Sequence, residues 1–153
     1  MKIINKMEIG DYIGYVAEPT EWFQVQQSQI DQFAECTLDH QFIHTDPEKA
    51  KETIFGSTIA HGFLSLSLLT YFAEQFAVMI DGTHMGINYG FDKVRFISPV
   101  KVNDRIRARA KIIEFSQKAP QQYMATTEVT IEIENGPKPA LIANWISLQL
   151  VSS

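Results

Sequence analysis

A chain of 153 residues, 45% hydrophobic and 20% charged, is long enough to bury a core and needs no more than one domain, expected to span residues 1–153. A formal net charge of −5 gives no general attraction to nucleic acid or to an anionic membrane, so neither is an expected partner. The single cysteine, Cys36, excludes an internal disulfide framework, and residues 1–8 lack the sustained apolar run of a secretory leader, so a cytoplasmic or similarly reducing location is expected.

Trp22, Phe23, Gln24 and Val25 read as a first short strand. Ser28 then has the chemistry of a helix N-cap, with Asp31 in the reciprocal position of a capping box and Ile30, Phe33 and Ala34 forming the apolar face. A second helix start falls at Asp46-Pro47, an N-cap followed by proline at the first helical position, continuing through Lys49, Ala50 and Lys51. Residues 62–80 form the longest apolar run. Glu74, Gln75, Ser65, Ser67 and Thr70 interrupt it, so it falls short of the ~20 apolar residues a membrane span requires. It reads as a core helix, apolar almost all round through Phe63, Leu64, Leu66, Leu68, Leu69, Phe72 and Phe76, and therefore wrapped by other elements.

Beyond Gly90 the apolar period becomes two, the signature of half-buried strands. Strands are expected over residues 91–97, broken by Ser98-Pro99, then over 105–112, 123–133 and 140–151, with a turn at residues 135–139. Arg105, Arg107, Arg109 and Lys111 alternate with apolar residues and read as one solvated sheet face. Meandering antiparallel strands after one buried helix imply an α+β fold whose sheet curls around that helix. Its open edges make a homodimer the expected assembly.

Chemistry concentrates upstream of the apolar run. Asp39 and His44 place a carboxylate and an imidazole five positions apart, and Gly62 opens the helix that follows. These are the parts needed to add water across a double bond beside a carbonyl: an acid/base pair moves protons, and N–H groups at a helix start polarise the carbonyl oxygen. Phe42 and Ile43 are expected to pack inward and desolvate the pair. His40, His44, Asp46 and His61 could be read as a metal cluster, but Pro47 forces Asp46 out of helical geometry, no cysteine joins them and the spacing fits no zinc pattern, so no metal is expected. His61 is expected to hold the loop by hydrogen bonds, and Ser57 and Thr58 to form an ordinary turn.

The pieces Ile30-Asp31-Gln32-Phe33-Ala34, Asp39-His40-Gln41-Phe42-Ile43-His44-Thr45-Asp46-Pro47-Glu48, Ile59-Ala60-His61-Gly62-Phe63 and Asn88-Tyr89-Gly90-Phe91 resemble the MaoC-like dehydratases, closest to the branch named after nodulation protein N. The resemblance extends to Val102-Asn103-Asp104 and Lys138-Pro139-Ala140, nearly the whole chain. It implies a hot-dog fold, a long helix wrapped by a five-stranded antiparallel sheet, in homodimers with sites near the interface. It also implies an (R)-specific enoyl-CoA hydratase with Asp39 and His44 as the dyad and the Gly62 N–H on the thioester oxygen. Coenzyme A would be only the substrate's carrier, and no other cofactor is implied. Asn88, His61, Thr70 and Arg95 are the implied substrate-side residues: Thr70 stands where related hydratases have a serine supporting the aspartate, Asn88 could orient the dyad or the thioester, and Arg95 could meet a phosphate of the carrier. Asn103 stands where glycine is common, and asparagine tolerates the positive φ such a turn needs. Two other functions fit the resemblance less fully, a hot-dog thioesterase and a non-catalytic acyl-thioester-binding module.

Overall fold

A computed structural model describes residues 1–152. The order of elements is β1 (Lys2–Ile4), a 3-10 turn (Lys6–Tyr12), β2 (Phe23–Gln24), α1 (Gln27–Thr37), α2 (Phe42–Thr45), α3 (Pro47–Lys51), α4 (Gly62–Ser67), α5 (Leu69–Phe76), β3 (Val78–Ile80), β4 (Thr83–Phe96), β5 (Arg105–Ala119), β6 (Gln122–Ile133) and β7 (Leu141–Val151). The main sheet has the order β2-β5-β6-β7-β4, antiparallel throughout. Alternation decides its faces: Ile106, Ala108, Ala110 and Ile112 of β5 are buried while Arg105, Arg109 and Lys111 stay exposed. The opposite sheet face carries a charge ladder, in which Glu132 accepts from Arg107 Nε at 2.7 Å and Arg109 Nε at 2.6 Å, and Arg105 pairs with Glu134 at 2.9 Å. The three arginines of the basic row are thus paired on a largely solvated face with two glutamates.

α4 and α5 are two segments of one apolar helix, since Leu68 N–H donates to Leu64 O and Phe72 N–H to Leu68 O across the junction. The break coincides with two hydroxyls bonded back onto the helix, Ser67 to Phe63 O at 2.8 Å and Thr70 to Ser67 O at 2.9 Å, which compete with the backbone ladder. Leu69, Phe72 and Phe76 pack into the sheet with Ile106, Val129, Ile131, Leu141 and Trp145.

Four expectations need correction. The apolar run is helical only to Phe76; Ala77 turns extended and residues 78–80 become β3, paired parallel with β1 through Ile4 and Ile80. The helix is not covered all round, because Phe63 and Tyr71 are exposed beside the two edges of the sheet, where they meet Phe96 of β4 and Phe23 of β2. Ser28 lies inside α1, whose N-cap is Gln26; the Gln29 side chain accepts from the Gln26 N–H at 2.9 Å and starts the helix two residues earlier. The strand expected at 91–97 begins at Thr83, and bulges at 88/90 and 91/93 break the alternation that would have shown its first half. Asp46 does cap α3, accepting from Lys49 N–H at 3.1 Å with Pro47 first in the helix, and Asn103 does take a positive φ of 68°. Among the described residues no helix is long and apolar enough to cross a membrane.

Candidate active site

α1 ends on Leu38 in the left-handed region, φ 62°, a conformation costly for a branched residue. This sharp exit lifts Asp39 clear of the helix before α2 makes a single turn and carries His44 inward. His44 is 7% exposed, whereas Phe42 remains exposed and Ile43 half-buried, so the inward packing expected of Phe42 does not occur. The histidine, rather than its apolar neighbours, fills the space.

Opposite α2 runs an extended strap at residues 58–60. Its Ile59 N–H donates to Ile43 O at 3.0 Å, and its Ile59 carbonyl receives His44 Nδ1 at 2.7 Å. A carbonyl only accepts, so Nδ1 carries the hydrogen and Nε2 keeps its lone pair. Burial pushes the His44 pKa below the ordinary imidazole value; the Ile59 carbonyl opposes this, the neighbouring His61 adds to it, and the charge of Asp39 opposes it.

His61, 3% exposed, sits at the N-cap of α4 with its ring 3.8 Å from that of His44 and inclined by 26°. Its Nε2 donates to the main-chain carbonyl of Asp39 at 3.0 Å, so it holds the Asp39 loop, while its buried Nδ1 has no hydrogen-bond partner among the described residues. A carboxylate oxygen of Asp39 and one ring nitrogen from each of His44 and His61 lie within 4.8 Å of one another. A water making two ~2.8 Å hydrogen bonds at the tetrahedral angle spans about 4.6 Å, so the separation suits one shared solvent molecule. The Asp39 side chain is 56% exposed, so only the imidazole half of the pair is desolvated. His40 and Asp46 do not join the cluster: His40 lies 3.7 Å from exposed Glu35, and Asp46 is spent on its cap.

Gly62 is the first residue of α4, where an N–H has no acceptor within the helix. It lines a cavity of about 280 Å³ together with His44, Ser65 and Phe96. A Cβ at Gly62 would lie 3.0 Å from Phe96 Cδ1, so a side chain here would have to push that ring aside.

Thr70 and Asn88 line a different, apolar cavity of about 290 Å³ beside Ala73, Phe76 and Trp145. Asn88 Oδ1 accepts from the Trp145 indole at 2.8 Å, and the Thr70 hydroxyl is committed to Ser67 O. Within one chain, then, neither side chain is spent on the dyad. Arg95 is exposed on β4, its guanidinium folded onto Val94 O at 2.8 Å. Thr58 is no surface turn: it is 1% exposed and bonded to Gln27. Gln27 and Phe96 carry no local motif that would single them out; both reach the site through contacts distant in sequence.

A helix laid in the hollow of a curled five-stranded antiparallel sheet defines the hot-dog class of α+β folds. Within that class, residues 9–134 match the MaoC like domain, and the chain belongs to that family. It is 47% identical over 151 residues to nodulation protein N of Rhizobium leguminosarum bv. viciae, covering 97% of this chain and 92% of that protein. It is 40% identical over 127 residues to 3-hydroxyacyl-thioester dehydratase Z of Mycobacterium tuberculosis (strain ATCC 25618 / H37Rv), covering 83% of each. A solved structure described as monoamine oxidase regulatory protein from Archaeoglobus fulgius superposes with a TM-score of 0.80 at 28% identity, covering 100% of this chain and 98% of that one. These relatives support a lyase-type enzyme of the hydratase and dehydratase kind.

Proposed function

We propose that the protein reversibly hydrates a trans-2-enoyl-CoA to the (3R)-3-hydroxyacyl-CoA, with Asp39 and His44 sharing the reacting water. The observation that carries this reading is the hydrogen bond from His44 Nδ1 to the Ile59 carbonyl, which leaves Nε2 a lone pair on a ring that has one nitrogen within 4.8 Å of an Asp39 carboxylate oxygen. A water between these two acceptors donates to both and turns its own lone pair outward. Its oxygen bonds to the β-carbon and one proton passes to the dyad. The π electrons shift to the thioester oxygen, which the Gly62 N–H polarises. The enolate then takes a proton from the dyad at the α-carbon, so one water is consumed and the dyad is restored. Nothing is oxidised or reduced, and the chemistry calls for no cofactor beyond the coenzyme A the substrate carries. A metal on Nε2 of His61 would displace the proton that holds the Asp39 carbonyl, whereas a water asks for no such change.

The apolar cavity beside Ala73 and Trp145 lies along the same helix as Gly62 and suits the acyl tail. His61 acts here through the loop, and Arg95, exposed near the end of β4, is available to a carrier phosphate. We place the enzyme in the cytoplasm as a homodimer. Among the described residues no strand pairs with the outer side of β4, where Met85, Tyr89 and Phe96 are exposed, and such an edge is normally covered. Sedimentation as a monomer at assay concentrations would overturn the dimer.

The test is loss of the conjugated thioester's ultraviolet absorbance with crotonyl-CoA. Asp39→Asn and His44→Gln should each lower the rate by about 10²-fold or more, the scale of general acid/base catalysis, with the fold retained. Near-wild-type rates in both variants would remove the assignment. Steady thiol release from saturated acyl-CoA would instead favour a thioesterase, and acyl-CoA binding without turnover a binding module.

A further inference from the structure

Gln27 opens α1, far in sequence from the dyad, yet its side-chain amide joins the two segments that hold His44. Its Nε2 donates to the main-chain carbonyl of His44 at 2.7 Å and to Asp31 Oδ1 at 2.8 Å, and its Oε1 accepts from the Thr58 hydroxyl at 2.5 Å. Both ends of the amide are therefore committed, and Thr58, 1% exposed, is shut off from bulk solvent.

The strap that carries Thr58 is anchored on its far side, where Ala60 N–H donates to Val100 O at 2.7 Å and Val102 N–H to Thr58 O at 3.0 Å. The Ile59 carbonyl thus stands fixed against the sheet side of the molecule. His44 has no comparable anchor of its own: α2 is a four-residue helix, and so short a helix does not sustain itself. Besides the Ile59 N–H to Ile43 O bond, Gln27 is the tie between the His44 main chain and the strap.

We propose that Gln27 and Thr58 are positioning residues that fix the tautomer of His44. By holding the His44 main chain against the strap, they keep Nδ1 on the Ile59 carbonyl, and so keep the hydrogen off Nε2. When the tie is loosened, the imidazole leaves that carbonyl and samples the Nε2–H form, which has no lone pair to offer the water. The kinetic consequence rests on the hydratase reading; the tautomer itself does not.

The experiment uses the full chain, ¹⁵N-labelled, and reads the His44 ring nitrogens by long-range ¹H–¹⁵N spectra beside crotonyl-CoA kinetics. Wild type should show a neutral ring with its hydrogen on Nδ1. Thr58→Val and Gln27→Met should each give averaged nitrogen shifts and lower kcat by about tenfold, part of the ~10²–10⁴ that general base catalysis supplies, with KM nearly unchanged. Thr58→Ser, which keeps the hydroxyl, should restore both readouts. Merely structural residues would lower the thermal midpoint without changing the tautomer of the folded molecules. A pure Nδ1–H signal in folded Thr58→Val and Gln27→Met, or a Thr58→Ser variant as impaired as Thr58→Val, overturns the proposal. Averaged shifts in the variants of a protein that hydrates no enoyl thioester would sustain the positioning role and sink the hydratase reading. Hydration by wild type with an unmoved tautomer in the variants would do the reverse.

Discussion

Replacing Gly62 by alanine separates the stability of the fold from the chemistry of the site. The new methyl would lie 3.0, 3.1 and 3.3 Å from Cδ1, Cε1 and Cγ of Phe96, against an ordinary carbon contact of about 3.5–4.0 Å, so the ring must retreat by about half an ångström. Phe96 is 49% exposed and meets Phe63 edge-on at 5.7 Å, so it can swing toward solvent with little loss of packing. Alanine also recovers up to about 1 kcal/mol of helix propensity. The net change in stability should therefore be under about 1 kcal/mol in either direction, readable as a small shift in thermal midpoint. On the proposed reading, the same methyl would crowd a thioester oxygen approaching the Gly62 N–H. Blocking that donor should lower kcat/KM by about 10²-fold, or about 2.7 kcal/mol of transition-state stabilisation. The assay is crotonyl-CoA hydration by Gly62→Ala, Phe96→Leu and the double variant. Phe96→Leu should stay active, and the double variant should stay as slow as Gly62→Ala, because relieving the ring leaves the methyl in place. Near-wild-type kcat/KM in Gly62→Ala, or full recovery in the double variant, would refute a role for this N–H at the thioester.

Because burial lowers the His44 pKa, its base form should persist into mild acid, and the acid limb of kcat/KM should lie below the ordinary value of 6.5. The stability sign follows: the unfolded chain takes up its proton first as pH falls through 6.5, so wild type should lose stability on acidification faster than His44→Gln, with no difference from this group above 6.5. Equal acid sensitivity in denaturant titrations of the two proteins would contradict the burial argument. In the second cavity, Ala73→Leu should shorten the longest enoyl chain hydrated while sparing crotonyl-CoA, with discrimination of ~1–3 kcal/mol per excluded methylene. An unchanged chain-length profile would place the acyl tail elsewhere.

Sequence periodicity reports which face of an element is buried, and where that face was regular the fold was legible. The first half of β5 and much of β6 and β7 alternate, and these strands appear in the structure, longer at some ends, in the antiparallel order expected. The first half of β4 was hidden because Gly86, Gly90 and the bulges destroy its period, and the end of the apolar run was misplaced because Val78 and Ile80 are as apolar as the helix before them. Only partnership with β1 makes those residues a strand, and a pairing across that much sequence leaves no local trace.

The site divides along the same line. Asp39, His44 and Gly62 are singled out by chemistry and resemblance, and the structure gathers the aspartate with the two histidines and sets His44 and Gly62 on one cavity. What surrounds them lay outside any local pattern: the Ile59 carbonyl that accepts from His44 Nδ1, the Gln27 amide that bonds to two segments, and the Phe96 ring packed 3.0 Å from where a Gly62 Cβ would stand. Asn88 shows the converse. A strand asparagine two residues before a glycine invites a role at the dyad, yet its Oδ1 is taken by the Trp145 indole, and leaving that part-buried N–H without an acceptor would cost roughly 1–3 kcal/mol. The asparagine is therefore committed to the orientation of the tryptophan. The rest of its side chain forms part of the wall of the apolar cavity.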